Sequence, residues 1–142
     1  TAWGKPSDAV VRGRLGETEM LFLPRHGRGH RVSPSALNYR ANVAALKTLG
    51  ATHLVAVSAV GSMKEAIAPG HLVVPDQFID LTKRRASTFF SFYGDSDEGA
   101  PVAHVSFADP ICTHLANALV AFRAATPIKL PVRVQFVIQA KN

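Results

Sequence analysis

The chain has 142 residues, 47% of them hydrophobic, 18% charged and 8% aromatic, which fits one soluble globular domain and excludes collagen-like, mucin-like or wholly disordered chains. No run approaches the roughly 18 apolar residues of a membrane span, and neither a signal h-region nor a transit pattern opens the chain, so the expected setting is cytoplasmic with no membrane partner. The lone cysteine, Cys112, excludes an internal disulfide and fits a reducing compartment. The formal net charge of +6 would suit nucleic acid. However, no acid follows Asp109, while Arg123, Lys129, Arg133 and Lys141 do. The excess is therefore largely a basic end, and no nucleic-acid partner is expected; Lys83, Arg84 and Arg85 read as a solvated loop.

In chain order, residues 1–8 read as an irregular lead-in. Residues 9–15 and 19–23 are β-type runs separated by Gly16-Glu17-Thr18, the pattern of a hairpin. Pro24-Arg25-His26-Gly27-Arg28-Gly29-His30-Arg31 is glycine-rich and basic with no apolar face, hence a loop opening at the end of a strand. Ser33-Pro34 predicts a helix start. Ala36, Tyr39, Val43 and Leu46 supply an apolar stripe, and Gly50 a stop. Residues 53–57 predict a buried strand ending at Ser58-Ala59-Val60-Gly61-Ser62. Residues 71–79 and 103–107 predict further strands, with a long surface excursion over 80–100 between them. Asp109-Pro110 predicts a second helix with Ile111, Leu115, Ala118, Leu119 and Phe122 on its apolar side, broken at Thr126-Pro127, before a last β-type run over 131–138. Strands interleaved with helices indicate an α/β class, a mixed β-sheet flanked by helices.

Two segments carry residue types suited to an oxyanion. In the first, the Arg25 guanidinium offers a fixed fork of donors, the His26 imidazole another, and Gly27 permits close backbone approach. In the second, the small residues after the 53–57 run expose backbone N–H groups, and Ser58 adds a hydroxyl, at the carboxyl end of a strand where α/β sheets bind ligands. Each also has a plainer reading: a solvated basic loop, and a strand-to-turn transition served by Gly61. His26 and His30 stand four apart, but the glycines between them oppose a helical zinc pair, so no metal is expected. Neither a nucleophile elbow nor a Gly-x-Gly-x-x-Gly or Walker loop occurs. Cys112 reads as a core residue of the second helix, His104 as a half-buried strand residue, and Met20 and Met63 as packing residues.

Beyond these local readings, ordered blocks of the chain resemble one family. They are Gly4-Lys5-Pro6-Ser7-Asp8, Leu23 through His30, Asn38-Tyr39-Arg40-Ala41-Asn42-Val43 with Ala45-Leu46-Lys47, Ser58 through Ser62, Pro69-Gly70, Asp76-Gln77-Phe78-Ile79-Asp80, and Ala103-His104-Val105-Ser106. In this order they are similar to the 5′-methylthioadenosine phosphorylases, in the trimeric branch of the purine nucleoside phosphorylase superfamily. The resemblance implies an incomplete nucleoside phosphorylase-like fold and phosphorolysis of 5′-methylthioadenosine, or a related purine nucleoside, to adenine and 5-methylthioribose 1-phosphate, in purine and methionine salvage. It implies a homotrimer, inorganic phosphate as co-substrate, and no cofactor. It further implies that Arg25, His26, Ser58 and Ala59 bind phosphate, and that His104 reaches the substrate of a neighbouring subunit near its methylthio group.

The chain departs from the family in three places. The family's opening strand and Gly-rich phosphate loop have no counterpart. Residues 92–100 lengthen the excursion, and beyond about Val120 neither the Glu-Gly-Pro block nor the later Asp that assists the departing purine is found. The expected organisation is thus a partial phosphorylase domain over 1–121 and a divergent basic tail over 122–142, with no catalytic residue of the family's kind in the chain. The parent protein is then an enzyme, and these residues alone are expected to be inactive. The alternative is a non-catalytic remnant that binds phosphate or oligomerises. Unpaired sheet edges and the β-prone 132–138 stretch also predict aggregation.

Overall fold

A computed structural model describes residues 1–86, 88–90 and 103–125, with backbone only for 123–125. The described residues fall into two compact units, 1–54 with 86 and 88–90, and 55–85 with 103–125.

The first unit opens with the lead-in and an antiparallel hairpin, β1 (Val11–Leu15) and β2 (Thr18–Phe22). Leu15 pairs with Thr18, so the turn is the two residues Gly16 and Glu17. Gly16 sits at φ +57 while Glu17 stays at negative φ, the combination of a type II′ turn, whose twist matches the strands. Gly13 pairs with Met20 on one face, and the Phe22 ring lies over Gly13, where an added Cβ would sit 3.5 Å from Cε2. On the other face Arg12 reaches Glu19 at 2.8 Å, an exposed pair contributing about 0–1 kcal/mol.

The first helix begins later than the Ser33-Pro34 signal predicts. Pro34–Ala36 forms a short 3-10 turn whose Ser33 side chain caps nothing. The α-helix α1 (Tyr39–Thr48) is capped instead by Asn38, whose side-chain oxygen accepts from the Ala41 N–H at 3.0 Å. The amide of Asn38 also donates to the Trp3 carbonyl at 2.7 Å. Gly50 does stop the helix. At φ +92 it donates to the Lys47 carbonyl while Ala51 donates to Leu46, the two bonds of a Schellman end.

The buried face of α1 is Ala41, Asn42 and Ala44, joined by Leu37 before the helix. The predicted stripe differs: Ala36 and Val43 are exposed, and Tyr39 and Leu46 only half-buried. Small residues win because the lead-in backbone approaches this face closely. Asn42, 6% exposed, accepts from the Ser7 N–H at 2.8 Å and donates to the Ser7 hydroxyl at 3.0 Å. The edge-to-face pair Trp3 and Phe89, 5.1 Å apart, and a bond from Arg40 to the Thr88 carbonyl complete the unit.

The second unit holds the helix α2 (Thr113–Ala125), which begins three residues after Pro110; the break expected at Thr126-Pro127 lies outside the described residues. Leu115 and Leu119 are half-buried, whereas Ala118 and Phe122 of the predicted apolar side are exposed. Cys112 precedes the helix and is exposed rather than in a core. Met63 is likewise fully exposed, not packed. Residues 53–57, 71–79 and 103–107 run without a strand ladder, and the first of them is exposed, with Leu54 at 56% and Val57 at 51%. Runs that apolar need neighbours on both sides to become buried strands, and among the described residues the hairpin is the whole sheet. The 131–138 run and the 92–100 stretch lie outside the described residues. The class is nevertheless α/β, an incomplete fold of the expected kind, as the structural likenesses below establish.

Candidate functional site: a braced basic loop

The loop after β2 is two consecutive turns. The Gly27 N–H donates to the Pro24 carbonyl at 2.8 Å, and the His30 N–H to the Gly27 carbonyl at 3.0 Å. The second turn needs a left-handed residue at its third position, and Gly29 takes it at φ +75. Val32 then closes the loop on His26 from both sides. Its N–H donates to the His26 carbonyl, and its own carbonyl lies 2.8 Å from His26 Nδ1. A carbonyl only accepts, so Nδ1 carries the proton and Nε2 is the acceptor for the Arg25 Nε–H at 3.3 Å. Arg25 and His26, both half-buried, are thereby brought together in a defined tautomer and orientation.

Two side chains to which the sequence reading gave no part in the anion site shape this loop. The His30 ring stacks on His26 at 4.4 Å with 19° between planes, and His30 reaches that position at φ +56. For a residue with a Cβ that backbone costs about 1–2 kcal/mol. Asp8 binds the loop from the lead-in. Its Oδ2 accepts from the Arg28 N–H at 2.7 Å and from the Arg31 guanidinium at 3.2 Å, and its Oδ1 from the Ala9 N–H at 2.8 Å. The Arg28 amide foremost, then that of Ala9, holds the Asp8 carboxyl below its ordinary value of 3.8, with the Arg31 and Arg28 charges adding to the shift. Asp8 stood in plain view within Gly4-Lys5-Pro6-Ser7-Asp8, yet only the fold shows what it holds.

The second segment lies in the other unit. Ser58 is 7% exposed, while Ala59 beside it is exposed. Residues 59–65 and 67–71 curl around an open concavity of about 830 Å³ that Ala59 and Gly61 help to line. Ser58 is held in an isolated β-bridge, and the turns after it carry local bonds. Ser62 Oγ accepts from the Lys64 N–H, Ile67 donates to the Lys64 carbonyl and His71 to the Ala68 carbonyl. His104 is exposed and outside any strand, in contrast to the half-buried strand residue expected from sequence.

Among the described residues, no three His, Cys, Asp or Glu side chains gather as a metal-ligand set, and no helix is long and apolar enough to cross a membrane.

A family model described as the phosphorylase superfamily matches residues 1–139. The chain belongs to this superfamily. Within it, the chain is 55% identical over 121 residues to the S-methyl-5′-thioadenosine phosphorylase of Hyperthermus butylicus, covering 85% of itself and 42% of that protein. It is 53% identical over 122 residues to the enzyme of the same name from Geobacter sulfurreducens, covering 40% of it. Among solved structures it is similar to the methylthioadenosine phosphorylase from Schistosoma mansoni in complex with adenine, with TM-score 0.76 and 43% identity over 85% of this chain and 41% of that one. The resemblance read from the ordered blocks therefore holds. This phosphorylase-superfamily chain spans about two-fifths of the length of the relatives it matches.

Proposed function

We propose that the chain carries the phosphate-binding part of a nucleoside phosphorylase site, acting in the parent enzyme on 5′-methylthioadenosine or a related purine nucleoside. The observation that carries this reading is the Arg25 and His26 pair, joined at 3.3 Å on a loop closed by Val32. Similarity to methylthioadenosine phosphorylases supports the substrate class.

In the reaction a phosphate oxygen attacks the anomeric carbon. The glycosidic bond breaks with its electron pair passing to the purine, and adenine leaves with a proton, giving 5-methylthioribose 1-phosphate. Phosphate is a poor nucleophile, so its alignment beside an oxocarbenium-like sugar supplies much of the rate. The Arg25 guanidinium answers the charge of phosphate through its terminal N–H groups, and the His26 ring, whose Nε2 accepts from Arg25 Nε–H, lines the same site and holds that guanidinium in place. Buried Ser58 contributes a hydroxyl and Ala59 backbone at the second segment. His104, exposed as a residue serving a neighbouring subunit would be, contacts substrate across a homotrimer interface. The chemistry asks for neither metal nor organic cofactor, and the setting is the cytoplasm.

With no family Asp in its matching blocks, the 142 residues by themselves bind phosphate without turning substrate over. Titrating the purified chain with inorganic phosphate against a chloride control, with the His26 ring followed by NMR, tests binding. Adenine release from 5′-methylthioadenosine and phosphate tests turnover. Saturable phosphate shifts with no adenine above a mock preparation are expected. An absence of saturable shifts overturns the anion site, and adenine release overturns the inactivity.

A further inference from the structure

The Gly4-to-Asp8 block has no part in the chemistry above, yet it makes polar contacts across 20 to 35 positions of the first unit. We propose that Asp8 is a positioning residue for the Arg25 and His26 anion site, locking the loop through Arg28 and Arg31; this rests on the phosphate reading of that loop.

The structural chain is continuous. Asn42, on the buried face of α1, fixes Ser7 with two hydrogen bonds of 2.8 and 3.0 Å. Asp8 follows directly, its side chain only 13% exposed although it is charged. From there Oδ2 takes the Arg28 N–H in the second turn and the Arg31 guanidinium beyond it. Arg31 lies across Gly27, since a Cβ built on Gly27 would meet Arg31 Nε at 3.0 Å and Cγ at 3.3 Å. Val32, the next residue, grips His26 through both its backbone N–H and its carbonyl. Helix α1 thus holds the orientation of the His26 ring through the lead-in. Neither Asp8 nor Asn42 needs to touch the anion.

Charge and geometry predict opposite signs for losing Asp8. By Coulomb's law alone, removing a carboxylate from a basic loop favours an anion. Removing a brace releases Arg28 and Arg31, lets the His26 ring turn and weakens the anion. A hydrogen bond to a charged group contributes enough for about a tenfold change.

The test compares the wild-type chain with Asp8→Ala and Asp8→Asn, using inorganic phosphate as the probe and the His26 ring nitrogens as the spectroscopic reporter. Asn lacks the charge but keeps an oxygen for the Arg28 N–H, so it separates positioning from electrostatics. Expected are loss of the protonated-Nδ1 signature and about tenfold weaker phosphate binding in Asp8→Ala, with affinity mostly restored in Asp8→Asn while both variants keep the wild-type helical circular dichroism. Unchanged or tighter binding in Asp8→Ala overturns the role of Asp8 and leaves the anion site standing. Equal loss in both variants also overturns it, since charge rather than the retained oxygen then decides. No phosphate response in the wild-type chain overturns the site itself, and the role of Asp8 with it, before any variant is compared.

Discussion

The two oxyanion candidates, residues 24–32 and 58–71, are alike in composition and unlike in construction. Both follow a β-type run and both combine small residues with donors. The first is tied to residues far away in sequence: Asp8 reaches Arg28 and Arg31 across 20 and 23 positions, and Ser7 reaches Asn42 across 35. In the second, the turns over 62–71 close on neighbours two or three residues away. An anion site is effective to the extent that its donors are aimed before the ligand arrives. Long-range ties aim them, because they hold a loop against the rest of the fold. The short-range ties shape the 62–71 turns, while the Ser58 end of that segment is held by an isolated β-bridge.

The most disruptive test of this contrast is Gly27→Ala. Gly27 is buried at φ +72, and the new methyl would press on Arg31 at 3.0 Å. A loss of about 1–2 kcal/mol from the backbone alone is expected, read as a lower denaturant midpoint together with loss of the phosphate-induced shifts. Gly61→Ala, with nothing within 4 Å of the added Cβ and no positive φ, should leave the midpoint unchanged. Equal effects at the two glycines would erase the contrast.

Next in size is the pair Arg25→Ala and Ser58→Ala. Removing a charge-assisted contact should weaken phosphate about 10-fold or more, and removing a hydroxyl only about fivefold. Phosphate titrations of both variants measure the ratio, and a reversed order would make Ser58 the stronger phosphate contact.

A smaller effect is expected at His30. His30→Asn keeps a residue tolerant of φ +56 but removes the ring stacked on His26. Stability should change by less than about 1 kcal/mol, while the His26 ring resonances move. Resonances that stay in place would show the stack to be idle.

The least visible effect is with pH. The carboxyl of Asp8 titrates below its ordinary 3.8 in the folded chain, so its contribution is complete above that value. It is lost only as pH falls through the lowered folded value. The Arg28 amide proton resonance should therefore hold steady from about pH 7 to pH 4 and shift below that. A midpoint above 3.8 would mean that Asp8 does not brace the loop.

These comparisons also mark where sequence reading stops. The hairpin turn expected at Gly16-Glu17-Thr18, of which the fold uses Gly16 and Glu17, the stop at Gly50 and the loop character of 24–31 were readable from sequence. Each depends on the backbone preferences of one or two adjacent residues. The choice of Asn38 over Ser33 as helix cap was not readable. Both are good caps locally, and the Trp3 carbonyl, 35 residues away, separates them. The buried face of α1 was misread for the same reason. An apolar stripe through Val43 is the default, but a polar lead-in anchored on Asn42 took the opposite side. The strand over 53–57 was expected from its apolar residues, which cannot make a ladder without partners.

By itself, the sequence determined the family, the residue types at both candidate segments and the local turns, because ordered motifs and φ preferences reside in adjacent residues. Tertiary structure alone decided which tautomer His26 holds, that Asp8 and Asn42 brace its loop, and that Cys112, Met63 and His104 face outward. Those outcomes depend on which distant groups meet, and a hydrogen bond across 20 or more residues leaves no periodicity in the chain for sequence reading to find.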